Sequence, residues 1–203
     1  MIKNIIFDLA GVLLNLDIER DTEALAHIGL PDFVSCLSDP RIAVPMTAYL
    51  NGLKGKDDFC RDLRPCCRQG VTDGEMLWAM DAVLADIPSP RIELLISLRK
   101  KYKVFLLSNI YDSAWEHSLK EITSKGFHVS QCFDRLFLSH EMGLAKPDPK
   151  IFQAVIEDTG INPCETLYLD DTRANVETGC ALGFQSILVP MNGLEQILSE
   201  LPL

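Results

Sequence analysis

The chain has 203 residues, 47% of them hydrophobic and 24% charged, with a net charge of −10 and a pI near 4.8. That length and apolar content suffice for one domain, or a domain with an insert, around a buried core, and the lack of repeats or low-complexity runs excludes a disordered chain. The acidic balance excludes duplex nucleic acid as a partner, and it means that any phosphate site needs local cations or a metal. No apolar run approaches the roughly 20 residues of a membrane span. The opening stretch MIKNIIFDLAG reads as a first strand rather than a signal peptide, so a cytoplasmic protein with no membrane contact is expected. Seven cysteines, Cys36, Cys60, Cys66, Cys67, Cys132, Cys164 and Cys180, form no CxxC pair. Reduced, mostly buried thiols are the expectation. No feature of the sequence fixes an oligomeric state.

In chain order, a first strand covers about residues 3 to 8. From residue 16 to 85 no strong strand is predicted. DIERDTEALAHIGL, DPRIAVPMTAYLNG, KDDFCRDLRPCCRQG and TDGEMLWAMDAVLAD read as helices broken by Gly and Pro. SPRIELLISLRKKY then reads as an amphipathic helix with Ser89 as N-cap and Pro90 at the first helical position. From there strands and helices alternate. KVFLLSN, FDRLFLS, TLYLDD and FQSILV are the strands. DSAWEHSLKEITSKG stops at Gly126, KPDPKIFQAVIEDTG stops at Gly160, and TRANVETGCALG and MNGLEQILSEL complete the helices.

This alternation predicts an α/β fold: a doubly wound, Rossmann-like parallel sheet with helices on both faces. The expected division is a core of residues 1–15 and 86–203 with an inserted helical domain of residues 16–85. In such sheets ligands bind at the carboxyl ends of the strands. There stand Asp8, then Ser108 and Asn109, then Asp170 and Asp171, with Lys146 in the loop GLAKPD. Singly, each residue reads as a turn former, a helix cap or a solvated charge. Together at one edge they make a hard oxygen site suited to Mg²⁺. Lys146 would neutralise Asp8 and a phosphate oxygen, and Ser108 with nearby backbone N–H groups would hold other phosphate oxygens. A carboxylate such as Asp8 can also accept a phosphoryl group.

Four motifs in order, FDLAGVL, LLSN, GLAKPD and LYLDD, make the chain resemble the haloacid dehalogenase-like (HAD) hydrolase superfamily over its whole length. It is similar to the branch with a helical cap after the first motif and DLGGV or DLGNV at that motif, some members of which are sugar phosphatases. The resemblance implies that Asp8 is the nucleophile. It implies that Mg²⁺ is held by Asp8, the Ala10 backbone carbonyl and Asp171, with Asp170 in support. It implies that Ser108 and the Asn109 backbone bind phosphate, and that Lys146 stabilises the nucleophile and the phosphoryl group. Ala10 departs from the pattern, because phosphatases of the family usually place a second Asp there as general acid and base. Losing such a group costs typically ~10²- to 10⁴-fold in rate. His27, Asp17, Glu19 or a water are the substitutes to consider.

The leading expectation is therefore a Mg²⁺-dependent phosphatase acting on a small phosphorylated metabolite, with a sugar phosphate foremost. The alternative is a HAD-fold protein that binds such a metabolite with little or no turnover. A haloacid dehalogenase stands third, because paired acids at Asp170 and Asp171 would repel Asp8 without a cation. For the helical insert, Arg41, Tyr49, Lys54, Lys56, Arg61 and Arg64 are candidates to face substrate, against a solvated helix face as the ordinary reading. Trp78 and Met80 are expected in the core of the insert, and Trp115 against the sheet.

Overall fold

The computed structural model describes residues 1–198. Among these, five strands form one parallel sheet: β1 (Asn4–Phe7), β2 (Lys103–Ser108), β3 (Arg135–Leu138), β4 (Thr166–Asp170) and β5 (Gln185–Leu188), in the order β3-β2-β1-β4-β5. Between β1 and β2 come α1 (Ile18–His27), α2 (Phe33–Ser38), α3 (Pro40–Leu50), α4 (Lys56–Leu63), α5 (Asp73–Asp81) and α6 (Ser89–Leu98). Then α7 (Asp112–Ser124) and α8 (Val129–Cys132) lead to β3. Next, α9 (Ser139–Met142) and α10 (Pro149–Thr159) lead to β4, α11 (Arg173–Ala181) leads to β5, and α12 (Leu194–Ile197) follows.

The central strands read as nearly unbroken apolar runs because both faces of the sheet are covered. Ile6, Phe105, Leu107, Phe137 and Tyr168 bury one face against Ile151, Phe152 and Val155 of α10. Ile5, Phe7, Leu106 and Leu169 bury the other among α6 and α7 residues. That second cluster continues without a break into the helical block, through Leu25, Met46, Phe59, Leu63 and Met76.

Several boundaries differ from the sequence reading. Asp8 stands just beyond β1. The helix cap before α6 falls on Pro88, so Ser89 lies inside the first turn and caps nothing. α2 is an additional short helix, begun by Asp32, whose carboxylate accepts from the Ser35 N–H at 3.1 Å. β3 stops at Leu138, and Ser139 opens α9. The last helix is shorter than MNGLEQILSEL suggests, and residues 199–201 of that stretch lie outside the described residues. All seven cysteines are free thiols, but only Cys36, Cys60 and Cys132 are buried, while Cys164 and Cys180 are exposed.

Two crossing segments join the helical block to the sheet. They pair through an antiparallel bridge between Leu16 and Leu84, with Asp17 N–H donating to Val83 O at 2.8 Å and Ala85 N–H to Asn15 O at 3.0 Å. The buried Arg91 guanidinium fastens this junction. It donates to Val12 O, Leu13 O, Asn15 Oδ1 and Asn192 O, and forks onto the Glu195 carboxylate at 2.6 and 2.8 Å.

Candidate active site

The sheet register sets the site. Phe7 lies opposite Leu106 on one side and Leu169 on the other, so one residue further on Asp8 emerges between the ends of β2 and β4. The chain goes from β1 to β2 on one side and returns from β3 to β4 on the other, so the strand order reverses at β1 and Asp8 stands where a parallel sheet opens a ligand crevice. Ser108 and Asp170 are the last residues of their strands, and Asp171 follows.

Lys146 is brought to this point from the loop before α10. The Asn109 amide fixes that loop: its Nδ2 donates to Lys146 O and its Oδ1 accepts from Lys146 N–H, both at 2.8 Å. Lys146 Nζ lies 2.9 Å from Asp8 Oδ1, 2.7 Å from Asp170 Oδ2 and 2.9 Å from Leu107 O, with its side chain only 1% exposed. The same Asp8 oxygen accepts from Leu9 N–H at 2.7 Å. Asp8 Oδ2 accepts no hydrogen bond among the described residues. Asp170 is the more heavily held acid, taking further donors from Thr172 N–H, Asn175 Nδ2 and the Tyr168 hydroxyl.

Oxygens of Asp8, Asp170 and Asp171 all lie within 4.8 Å of one another. Three carboxylates against one ammonium leave the cluster negative, and that imbalance bears on its acids. Burial, aided by the Asp170 and Asp171 charges, pushes Asp8 up to about 7 against the pull of Lys146. Burial and the Asp170 charge also raise Asp171. Burial acts upward on Asp170 too, but the Lys146 charge and the surrounding donors hold it below the usual carboxylate range. Lys146 stays above its ordinary value, because the Asp8 and Asp170 charges outweigh its burial.

This donor set fits a hard divalent cation, which takes oxygen ligands and would offset the excess charge. Two details support the fit. The Ala10 carbonyl accepts no hydrogen bond among the described residues. At Gly11, with φ of +77°, an added Cβ would collide with the Asp171 carboxylate, so only glycine lets this turn come so close. The Ser108 hydroxyl is buried and without a partner, which suits a group awaiting a phosphate oxygen.

A cavity of about 610 Å³ covers this edge, lined by Asp8, Ala10, Asn109, Lys146 and Asp171 from below and by Asp21, Asn51 and Met80 from the helical block. Ser108 and Asp170 do not line it. The block is docked directly on the edge. Asn109 Nδ2 donates to Asn51 Oδ1 at 3.1 Å, and Gly52 lies so close to His140 that a Cβ would collide with its backbone.

The candidates to replace the acid missing at Ala10 are elsewhere. His27 faces Glu75 at 3.3 Å and the edge of Trp78. Asp17 caps α1, accepting from Arg20 N–H at 3.0 Å. Asp17 and Glu19 line a separate cleft beside Arg91. The basic residues of the block do not reach the cavity either. Arg41 pairs with Asp39, Lys54 with Asp62, Arg61 with Asp58 and Arg64 with Asp73, and Lys56 is exposed. Tyr49 is buried, stacked on Phe59 at 4.4 Å and against Tyr111 at 4.5 Å. Met80 is buried as expected, but Trp78 is half exposed, and Trp115 packs partly buried against the core. Among the polar cavity residues missed from the sequence are Asp21, Thr22, Asp32, Asn51, Thr172 and Asn175. Asp21 had a signal: with Ala24, Leu25 and Ile28 it falls on the apolar face of α1.

Residues 2–183 match the family model of the haloacid dehalogenase-like hydrolases, and the chain belongs to that family. It is 32% identical to a D-ribitol-5-phosphate phosphatase of Bacteroides thetaiotaomicron over 197 residues, 96% of this chain and 95% of that one. A HAD family enzyme of the same organism, solved with magnesium and inorganic phosphate, superposes with a TM-score of 0.80 at 35% identity, covering 94% of this chain and 96% of that one. A HAD-like family hydrolase of Porphyromonas gingivalis superposes with a TM-score of 0.85 at 32% identity, covering 98% and 96%. Among the described residues no helix is long and apolar enough to cross a membrane.

Proposed function

We propose that the chain is a Mg²⁺-dependent phosphatase that hydrolyses a small phosphorylated metabolite, a sugar or sugar-alcohol monophosphate, through phosphorylation of Asp8. The observation that carries this reading is the Asp8 carboxylate, held by one oxygen between Lys146 and the Leu9 N–H, with two further acids beside it and a cavity over it. The similarity to a D-ribitol-5-phosphate phosphatase supports the substrate class. Residues 16–85 act in this reading as a cap over the edge.

Asp8 attacks phosphorus through the oxygen that Lys146 leaves free, and the bond from phosphorus to the ester oxygen breaks. Lys146 offsets the charge shared by Asp8 and the phosphoryl oxygens, while the Ser108 hydroxyl and the Asn109 backbone hold other phosphoryl oxygens. A Mg²⁺ held by Asp8, Asp171 and the Ala10 carbonyl, with Asp170 in support, would keep Asp8 ionised and screen the phosphate from the acids. Water then attacks the same phosphorus, releasing inorganic phosphate and restoring the Asp8 carboxylate. Ala10 presents only a methyl group, so the departing alkoxide takes its proton from water in the cavity.

Ala10 is also the one feature that favours a second reading, a metabolite-binding protein with little turnover. A metal-free dehalogenase is disfavoured by the two acids crowded against Asp8. The deciding experiment measures phosphate release from p-nitrophenyl phosphate and a panel that includes D-ribitol 5-phosphate, with Mg²⁺ and with chelator, on wild type and Asp8→Asn. Turnover that requires both Mg²⁺ and Asp8 is the expected result. No release from any compound by folded, Mg²⁺-binding protein would favour the binding reading, and halide release from a haloacid without Mg²⁺ would overturn both.

A further inference from the structure

One acid above the site has no counterpart in the chemistry described. Asp21 stands on α1, 6% exposed, and lines the cavity that Asp8 lines from below. Among the described residues no donor and no cation meets its carboxylate. The groups that could do so are engaged elsewhere. The Tyr111 hydroxyl donates to Met80 O at 2.9 Å, and the Arg20 guanidinium donates to Ala82 O and Leu84 O. Burial alone moves this carboxyl, up to about 6. A carboxylate placed on the apolar face of a helix without a partner costs stability. Such a group stands ready for a ligand that brings donors.

The rest of the cavity narrows what that ligand is. Lys146 is the single Lys or Arg among its described lining residues, and it is already committed to Asp8 and Asp170. The lining that the helical block supplies is mostly apolar, from Ile18, Phe33, Val34, Met80, Val83 and Leu84, and its remaining polar members, Thr22, Asp32 and Asn51, carry no positive charge. A leaving group with a second phosphate or a carboxylate would meet no cation there and would face an acid. A purely apolar one would leave Asp21 unpaired in the complex.

We propose that Asp21 recognises the leaving group: its carboxylate accepts hydrogen bonds from the hydroxyls of a neutral polyol or sugar, and so selects hydroxylated monophosphates over bisphosphates and over aryl phosphates. This rests on the phosphatase reading above, and it adds the residue on the cap side that reads the substrate. A site built around a substrate hydroxyl discriminates strongly against analogues that lack it.

The test compares wild type, Asp21→Asn and Asp21→Leu on D-ribitol 5-phosphate, p-nitrophenyl phosphate, a sugar bisphosphate and phosphoethanolamine. The ratio of kcat/KM for D-ribitol 5-phosphate to that for p-nitrophenyl phosphate is expected to fall about 10- to 100-fold in Asp21→Leu, with Asp21→Asn between. Melting temperature in metal-free buffer at pH 7 is expected to rise in Asp21→Leu, which shows at once that the variant folds and that the acid is held at a cost. An equal fall for both substrates, a lower melting temperature, or a wild-type preference for the bisphosphate or phosphoethanolamine would each overturn the proposal. If wild type releases no phosphate at all, the phosphatase reading fails by itself. Calorimetric titration with D-ribitol 5-phosphate and with inorganic phosphate then decides: tighter binding of the polyol phosphate that Asp21→Leu abolishes upholds the role of Asp21, and equal binding of the two removes it.

Discussion

The sheet edge and the helical block use the same residue types to opposite ends. At the edge, one lysine is buried among an excess of acids, and a cavity opens beside it. In the block, each of four basic residues meets a nearby acid at the surface: Arg41 with Asp39, Lys54 with Asp62, Arg61 with Asp58, Arg64 with Asp73. Matched pairs in water contribute little. An unmatched cluster without water shifts its own protonation and calls for a counter-ion. Burial and imbalance, not the number of charges, therefore mark where chemistry is placed.

The largest effect should come from removing the one cation of the edge. Lys146→Met leaves Asp8 and Asp170 buried without their charge partner, a change that typically costs ~3–5 kcal/mol. Chemical denaturation of metal-free protein is expected to show a loss of that size, partly recovered by saturating Mg²⁺. A loss below about 1 kcal/mol would place this cluster with the surface pairs and erase the contrast.

Ala10 probes the edge from the catalytic side. The residue lines the cavity beside Asp8 and supplies no proton donor. Ala10→Asp is expected to raise kcat by about 10²-fold on an alkyl phosphate, whose alkoxide is a poor leaving group. The gain on p-nitrophenyl phosphate should be far smaller, since that leaving group needs little protonation. Equal gains on both would mean that the new acid acts on something other than the departing oxygen.

How legible each region was in the sequence follows from the same contrast. Asp8, Ser108 and Asp170 could be read because each ends or directly follows an apolar strand, and parallel register does the rest: once β1, β2 and β4 pair, those residues converge without further choice. Lys146 is fixed by the reciprocal Asn109 amide, a contact across 37 positions that no local pattern announces. The block resisted reading because its helices are short and its polar residues all look alike in sequence. Tyr49, whose hydroxyl suggested a substrate contact, is buried by stacking on Phe59 and Tyr111. Trp78, whose size suggested a core residue, meets the His27 ring edge-on and is half exposed. Asp21 was within reach, because an acid among Ala24, Leu25 and Ile28 breaks the period of α1. Asp17 and Glu19 in the neighbouring turn, however, look just as available in sequence.

Asp21 also gives the block its one buried acid that burial alone shifts, and pH exposes it. Because its carboxyl is raised from 3.8 to about 6, the folded protein keeps a proton that the unfolded chain loses above about pH 4. The favourable share is therefore complete below pH 4 and is lost as the pH rises through 6. A tenfold change in proton affinity is worth about 1.4 kcal/mol, and water in the cavity screens part of the charge. This group should then cost the folded state on the order of 2 kcal/mol at pH 7. Asp8 and Asp171 move the same way, so the difference between wild type and Asp21→Asn isolates the share that belongs to Asp21. Denaturation of metal-free protein is expected to show wild type losing more stability between pH 4 and 7 than the variant. Parallel curves would mean that Asp21 is solvated, and the contrast between its site and the surface pairs would disappear.

The smallest effects should fall on the surface pairs themselves. Arg41 is bound to Asp39 two residues away, at 2.6 Å with its side chain 80% exposed, and it lies off the cavity. Arg61 is shared between Asp58 and Asp62, again at the surface. Exposed pairs of this kind are worth about 0–1 kcal/mol, and neither residue lines the cavity over Asp8. Arg41→Ala and Arg61→Ala are expected to leave kcat/KM on D-ribitol 5-phosphate within about twofold of wild type and stability within about 0.5 kcal/mol. A tenfold fall in kcat/KM with stability unchanged would mean that α3 or α4 swings over the cavity during turnover. The basic residues of the block would then belong with Lys146 after all, joined to the site by a motion of the cap rather than by the packing seen here.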